Sequence, residues 1–145
     1  MAYRLLTNLS YPSWLYPVTQ GATTIWERLN SYTHKDGFGN NNNMNSFNHY
    51  SFGSVGNWLL TRSLGINVDP EGIIEISPHP DLSGKINWAK GWRDIESGRI
   101  ESSWEIKDDK IVMDITLPEG AKGFFNYKGE KIKLHSGKQN FSFAL

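Results

Sequence analysis

Two side chains in the first half of the chain stand where they could do acid–base work. Glu27 lies between Trp26 and Arg28, directly after a Gly21-Ala22-Thr23-Thr24 turn. A carboxylate beside an indole and near a loop can have its proton affinity set by partial burial, as a general acid or base requires. His49 lies in Asn45-Ser46-Phe47-Asn48-His49-Tyr50, just after an Asn-rich loop. From there an imidazole can donate to a hydroxyl or orient a water. Each has an ordinary alternative: Glu27 as a helix-surface charge paired with Arg28 or a residue further on, and His49 as a structural histidine. His79, between Pro78 and Pro80, reads as a strand-end turn residue.

Other familiar chemistry is missing. There is no Gly-rich phosphate loop before a Lys-Ser/Thr pair and no His-Glu-x-x-His. Gly53-Ser54-Val55-Gly56 falls inside a helical pattern, so it is not a nucleophile elbow. The chain has no Cys, which excludes disulfides and thiolate metal sites. The ligand inventory implies neither a metal nor a cofactor. Lys+Arg and Asp+Glu are 15 each, for a formal net charge of +0, which argues against nucleic acid or a membrane surface as a charge-driven partner. No apolar run approaches the roughly 20 residues of a membrane span. The N-terminus lacks a basic region followed by an apolar core and cleavage site, so we expect no signal peptide and a cytoplasmic location. A Met followed at once by helix-like sequence suggests a fragment. Six Trp, six Tyr and seven Phe in 145 residues suit either a hydrophobic core or a sugar-binding surface, because the apolar face of a pyranose stacks on flat rings.

The elements that must hold these residues change character near Asp69-Pro70-Glu71-Gly72. Before it the apolar period is helical, and after it the period is two. Residues 1–68 are therefore expected to be helices and residues 69–145 an antiparallel β-sandwich, an α+β chain. Ala2 to Asn8 reads as a helix end, and Trp14, Leu15 and Val18 mark a short helix. Thr23-Thr24 could cap a helix through Ile25–Leu29. His34 to Asn43 is a Gly/Asn loop. Asn45 to Leu64 is predicted as the longest helix, with Phe47, Tyr50, Val55, Trp58 and Leu59 on one face and Gly65 as its stop. About seven strands follow: Ile73–Ser77, Lys85–Trp92, Arg99–Lys107, Lys110–Leu117, Gly123–Tyr127, Lys131–Leu134 and Asn140–Leu145. Asp108-Asp109 forms a hairpin turn among them.

Taken together, the motifs carry a resemblance. Gly21-Ala22-Thr23-Thr24-Ile25-Trp26-Glu27-Arg28 is similar to the GATTIWE(R/H) segment of glycoside hydrolase family 78, the α-L-rhamnosidases. Asn45 to Tyr50, Phe52 to Gly56 and Trp58-Leu59 resemble the NSFNHYAFGSVGEWLY helix of that family. Ile76 to Pro80 and Gly98 to Trp104 resemble its C-terminal β domain. The resemblance implies that the helices are the last of an (α/α)6 barrel. It also implies an inverting hydrolysis of a terminal α-L-rhamnosyl bond, with the two carboxyls about 6.5–9.5 Å apart to admit water. By the same resemblance Glu27 matches the general base and His49 a substrate contact, while Trp26 sits beside the site as a contact or as packing behind it. The family's acidic stretch carrying the general acid has no match here. Leu29-Asn30-Ser31 stands where Trp-Asp-Ser is usual, and Asn57 where Glu is common. The expected partners are a rhamnosyl glycoside and either further copies of this chain or a companion chain completing the barrel. The alternative is a non-catalytic carbohydrate-binding or assembly module.

Overall fold

The computed structural model describes residues 1–39 and 44–145. The expected loop residues Asn40 to Asn43 lie outside the described residues. Contacts divide the chain into two units, residues 1–55 and 56–145.

The first unit holds two short helices, α1 (Ala2–Thr7) and α2 (Leu15–Thr19). The Trp14 backbone N–H donates to Leu5 O at 3.0 Å, which ties the approach to α2 to the end of α1. Buried Ser13 caps α2: its Oγ accepts from Tyr16 N at 3.1 Å and donates to Asn8 O. The helix expected at Ile25–Leu29 does not form. Its backbone groups are drawn off sideways: Glu27 N donates to Ser46 O and His49 N to Ile25 O, each at 2.8 Å. Those bonds also hold Asn45–His49 out of the predicted long helix.

What remains of that helix is three short turns. Tyr50–Ser54 is a 3₁₀ turn, α3 spans Val55–Trp58, and Leu59–Ser63 is a π-helical turn. Gly53 and Gly56 weaken helical propagation by about 1 kcal/mol each relative to Ala, which suits a stretch that changes its hydrogen-bond pattern twice. Gly65 does end it, at φ +74. A Cβ there would collide with the Ser77–Pro78 backbone, so both the left-handed conformation and the close approach demand glycine.

The second unit carries eight strands: β1 (Ile66–Val68), β2 (Ile74–Ile76), β3 (Trp88–Ile95), β4 (Gly98–Lys107), β5 (Lys110–Leu117), β6 (Gly123–Tyr127), β7 (Glu130–Leu134) and β8 (Gly137–Ala144). They form two four-stranded sheets ordered β1-β2-β6-β7 and β3-β4-β5-β8. Inward side chains of both sheets make one core, Ile66, Ile74, Ile76, Phe125 and Leu134 from the first against Ile100, Trp104, Ile111, Met113, Ile115 and Leu117 from the second. This is the expected sandwich. Two details differ from the sequence reading. β1, three residues long, precedes Asp69 and is too short to show alternation. β2 pairs with β6 in parallel, whereas every other neighbouring pair is antiparallel. Three strands of the other sheet intervene between β2 and β6, so no hairpin sets their direction.

The β4–β5 hairpin turns at Asp108-Asp109, both at positive φ (51 and 56), as the tight turn between twisted strands requires. Two bonds fasten the C-terminal side of the helical turns to β4. Trp104 Nε1 donates to Ser63 O at 2.8 Å, and Ser102 Oγ donates to Leu64 O at 2.9 Å. Each satisfies a buried polar group that would otherwise oppose burial of its strand.

Candidate active site

The segments carrying Glu27 and His49 are bound to each other within the first unit. Besides the two backbone bonds, Thr24 Oγ1 donates to Phe47 O, and Ser31 Oγ lies 2.7 Å from Asn45 Oδ1. Ser31 also folds its own turn, donating to Arg28 O at 2.8 Å. Residues 24–31 and 45–49 thus form one hydrogen-bonded pair of strips, which carries all three sequence-predicted site residues, Trp26 and Glu27 on one strip and His49 on the other.

Glu27 is half-buried. Its Oε2 accepts the Ser46 backbone N–H at 2.8 Å, while its own N–H donates to Ser46 O. The reciprocal pair fixes both the backbone and one carboxylate oxygen. Oε1 accepts no hydrogen bond from another described residue, and no ion pair with Arg28 forms among the described residues. The helix-surface reading of Glu27 therefore loses both its helix and its partner. A carboxylate held by one oxygen with the other open can accept a proton from water.

His49 follows the same strip. Its ring lies 5.1 Å from that of Phe52, tilted by 40°. Trp26 is 7% exposed, and its ring meets Phe47 at 5.3 Å and Tyr32 at 6.5 Å, both edge-on. Phe38 closes the circuit, 5.5 Å from Phe47 and 5.2 Å from Tyr32. This four-ring cluster joins the two strips through Trp26 on one and Phe47 on the other. Edge-to-face contacts of this kind contribute about 0.5–1.5 kcal/mol each beyond the area they bury. The sequence reading did not single out Tyr32 and Phe38. Their signal was the run Trp26, Tyr32 and Phe38, six residues apart each time, which matches neither a helical period nor the every-second-residue alternation of a strand. Among the described residues no group of His, Asp and Glu is arranged to hold a metal ion, and no helix is long and apolar enough to cross a membrane.

Comparison with known proteins identifies the family. Residues 1–62 match the family model of the bacterial alpha-L-rhamnosidase 6 hairpin glycosidase domain, and residues 65–137 match that of the bacterial alpha-L-rhamnosidase C-terminal domain. The chain belongs to the bacterial α-L-rhamnosidase family. It is 42% identical to an alpha-L-rhamnosidase of Formosa agariphila over 81% of its own length, and 38% identical to one of Alteromonas sp. over its whole length. It spans 13% and 17% of those two rhamnosidases. Among solved structures it is similar to a Streptomyces avermitilis alpha-L-rhamnosidase complexed with L-rhamnose, with a TM-score of 0.84 and 28% identity. That match covers 97% of this chain and 16% of the other. A rhamnosidase of Aspergillus terreus gives the same TM-score at 29% identity, with 97% of this chain and 17% of that one covered. The short helices followed by antiparallel-rich sheets are those of the C-terminal part of rhamnosidase structures, and the helical residues belong to the six-hairpin domain.

Proposed function

We propose that this chain is the C-terminal part of an inverting α-L-rhamnosidase and that Glu27 is its general base. The observation that carries the reading is the anchored carboxylate, with Oε2 held by Ser46 N at 2.8 Å and Oε1 accepting no hydrogen bond from another described residue. In an inverting reaction such a carboxylate takes a proton from the water that attacks the anomeric carbon, while an acid on the opposite face protonates the leaving oxygen. His49, on the paired strip, contacts the rhamnosyl group. Trp26, buried in the ring cluster, sets the position of Glu27 from behind. No segment of this chain matches the family's general acid, so hydrolysis requires that group from elsewhere. The exposed apolar side chains Leu5, Leu9, Val18, Tyr50 and Phe52 support association of the helical unit with further rhamnosidase barrel, on a companion chain or a second copy.

A chimera tests this, with the present chain replacing the matching segment of the Alteromonas relative. Glu27→Gln is expected to lower kcat on an aryl α-L-rhamnoside by about 10²–10⁴-fold with little change in KM, the range for losing a general base. The first-formed sugar anomer is expected to be inverted. Undiminished kcat in the Glu27→Gln chimera would refute the assignment. The isolated 145-residue chain is expected to show no turnover.

A further inference from the structure

The outer face of the β3-β4-β5-β8 sheet carries two indoles in water. Trp88 is 63% exposed and Trp92 is 55% exposed, both on edge strand β3. The register sets out the face in rows. Trp88 stands beside Glu105, Val112 and Ser142; Lys90 beside Ser103, Asp114 and Asn140; Trp92 beside Glu101, Thr116 and Lys138. The two indoles are thus separated along the strand by roughly 13 Å, the rise of four residues, with a fully polar row between them. At the Trp88 end a cavity of about 410 Å³ opens between Trp88, Lys90, Ser103, Glu105, Val112 and Asp114.

The polar row is ordered. Lys138 Nζ bonds Asp114 Oδ2 at 2.8 Å, and Asn140 Nδ2 donates to Asp114 Oδ1. The Lys138 hydrogen bond, against partial desolvation and with help from Asn140, holds the Asp114 carboxyl below the usual carboxylate range. It is therefore an ionised acceptor at neutral pH. Trp92 is steadied by Arg99, whose guanidinium lies 5.1 Å from the ring centroid and is held by Asp94 at 2.7 and 3.1 Å.

We infer that this face, centred on the Trp88 cavity, binds a neutral saccharide chain. A pyranose presents an apolar C–H face and a rim of hydroxyls. The indoles match the first, and Lys90, Ser103, Glu105 and Asp114 match the second. Charge argues against other occupants. Lys90, Arg99 and Lys138 stand against Asp94, Glu101, Glu105 and Asp114, three positive charges interspersed with four negative ones, too small an imbalance to recruit a polyanion or a polycation. Protein interfaces deplete their cores of charged residues, and here charges fill the space between the aromatic rings. The inference does not rest on Glu27 or on hydrolysis, because the face lies wholly within the β unit.

The test is NMR titration of the isotope-labelled chain, following the indole and backbone N–H signals. A rhamnosyl-glucose disaccharide and maltotetraose serve as neutral probes, and polygalacturonate serves as the anionic one. At least one neutral probe is expected to shift the Trp88 indole and the Lys90 and Ser103 amides along one saturating curve. Trp88→Ala is expected to weaken that binding about tenfold or more, the equivalent of 1.4 kcal/mol, and Trp92→Ala by less. Both side chains face water, so unchanged thermal melting of the variants shows that folding is intact. The inference is overturned if neither neutral probe moves these signals, if Trp88→Ala leaves affinity unchanged, or if polygalacturonate alone binds. It is equally overturned if the only effect of Trp88→Ala is to abolish pairing between copies in light scattering. Loss of rhamnosidase activity in the Glu27→Gln chimera leaves this readout untouched.

Discussion

The β unit and the helical unit solve burial in opposite ways. The β unit closes a core in which Ile66, Ile74, Ile76, Ile100, Ile111 and Phe125 are wholly removed from water. In the helical unit, among the described residues, Trp26 is the one large apolar side chain that is buried, and the other buried positions are Ser13, Pro17 and Ser31. Its order comes from cross-strip hydrogen bonds and a ring cluster, while Leu9, Val18 and Tyr50 stay exposed. A net hydrogen bond contributes about 0.5–1.5 kcal/mol, and a fully buried large apolar side chain about 1.5–3 kcal/mol. The β unit thus has the means to fold alone, and the helical unit depends more on what it packs against.

The largest effect should come from the β core. Trp104→Ala removes a side chain that is 2% exposed together with its hydrogen bond to Ser63 O, so a loss of about 3–5 kcal/mol is expected in the main unfolding transition. Trp26→Ala should instead erase the ring-current shifts of Phe47 and Tyr32 without moving that transition. A single shared transition displaced equally by both substitutions would break the comparison.

An intermediate effect is expected at Asp81, which is buried ahead of β3. Burial pushes its carboxyl up, but hydrogen bonds from the Ser83 hydroxyl and from the Ser83, Ile86 and Lys85 backbone together pull it below its ordinary value of 3.8. The folded value lies below the unfolded one, so the stabilisation is present above about pH 3.8 and is lost as pH falls through the lower folded value. Asp81→Asn should cost about 1.5–3 kcal/mol at pH 7, the range for hydrogen bonds to a charged group. It should also flatten the acid limb of the β unit's stability curve. An unchanged acid limb would remove Asp81 from the account.

The smallest effect sharpens the contrast from the helical side. Mean mass in light scattering should rise with protein concentration. Leu9→Ser with Val18→Ser should reduce that rise by about 0.5–1 kcal/mol of association energy per side chain, less than full burial would give. A monomer at every concentration would show that the helical unit tolerates its exposed face.

The β4–β5 hairpin was legible in advance. Ile100, Ser102, Trp104 and Ile106 alternate, Ile111, Met113 and Ile115 alternate, and Asp108-Asp109 accepts positive φ. The Glu27 and His49 motifs were legible as two segments flanking a loop, but the bonds that join the segments, Glu27 with Ser46 and His49 with Ile25, were not. Those bonds run between residues 19 or more apart, and local periodicity carries no trace of such partners.

The residues alone thus determined the change from helical turns to sandwich, the hairpin turns and the family motifs. Each of these is written in spacing within a few positions. Tertiary structure alone decided that Ile25–Leu29 is not a helix, that β2 and β6 run parallel, and which way β3 faces. Its pattern, with Ile86 and Trp88 in alternation, leaves Trp88 free to point either way. Ala89 and Ile95 pack against the core, and Gly91 between them meets Leu64, whose Cδ1 sits 2.5 Å from where a Cβ would be. Since successive side chains alternate across a strand, this inward set leaves Trp88 and Trp92 facing outward to water.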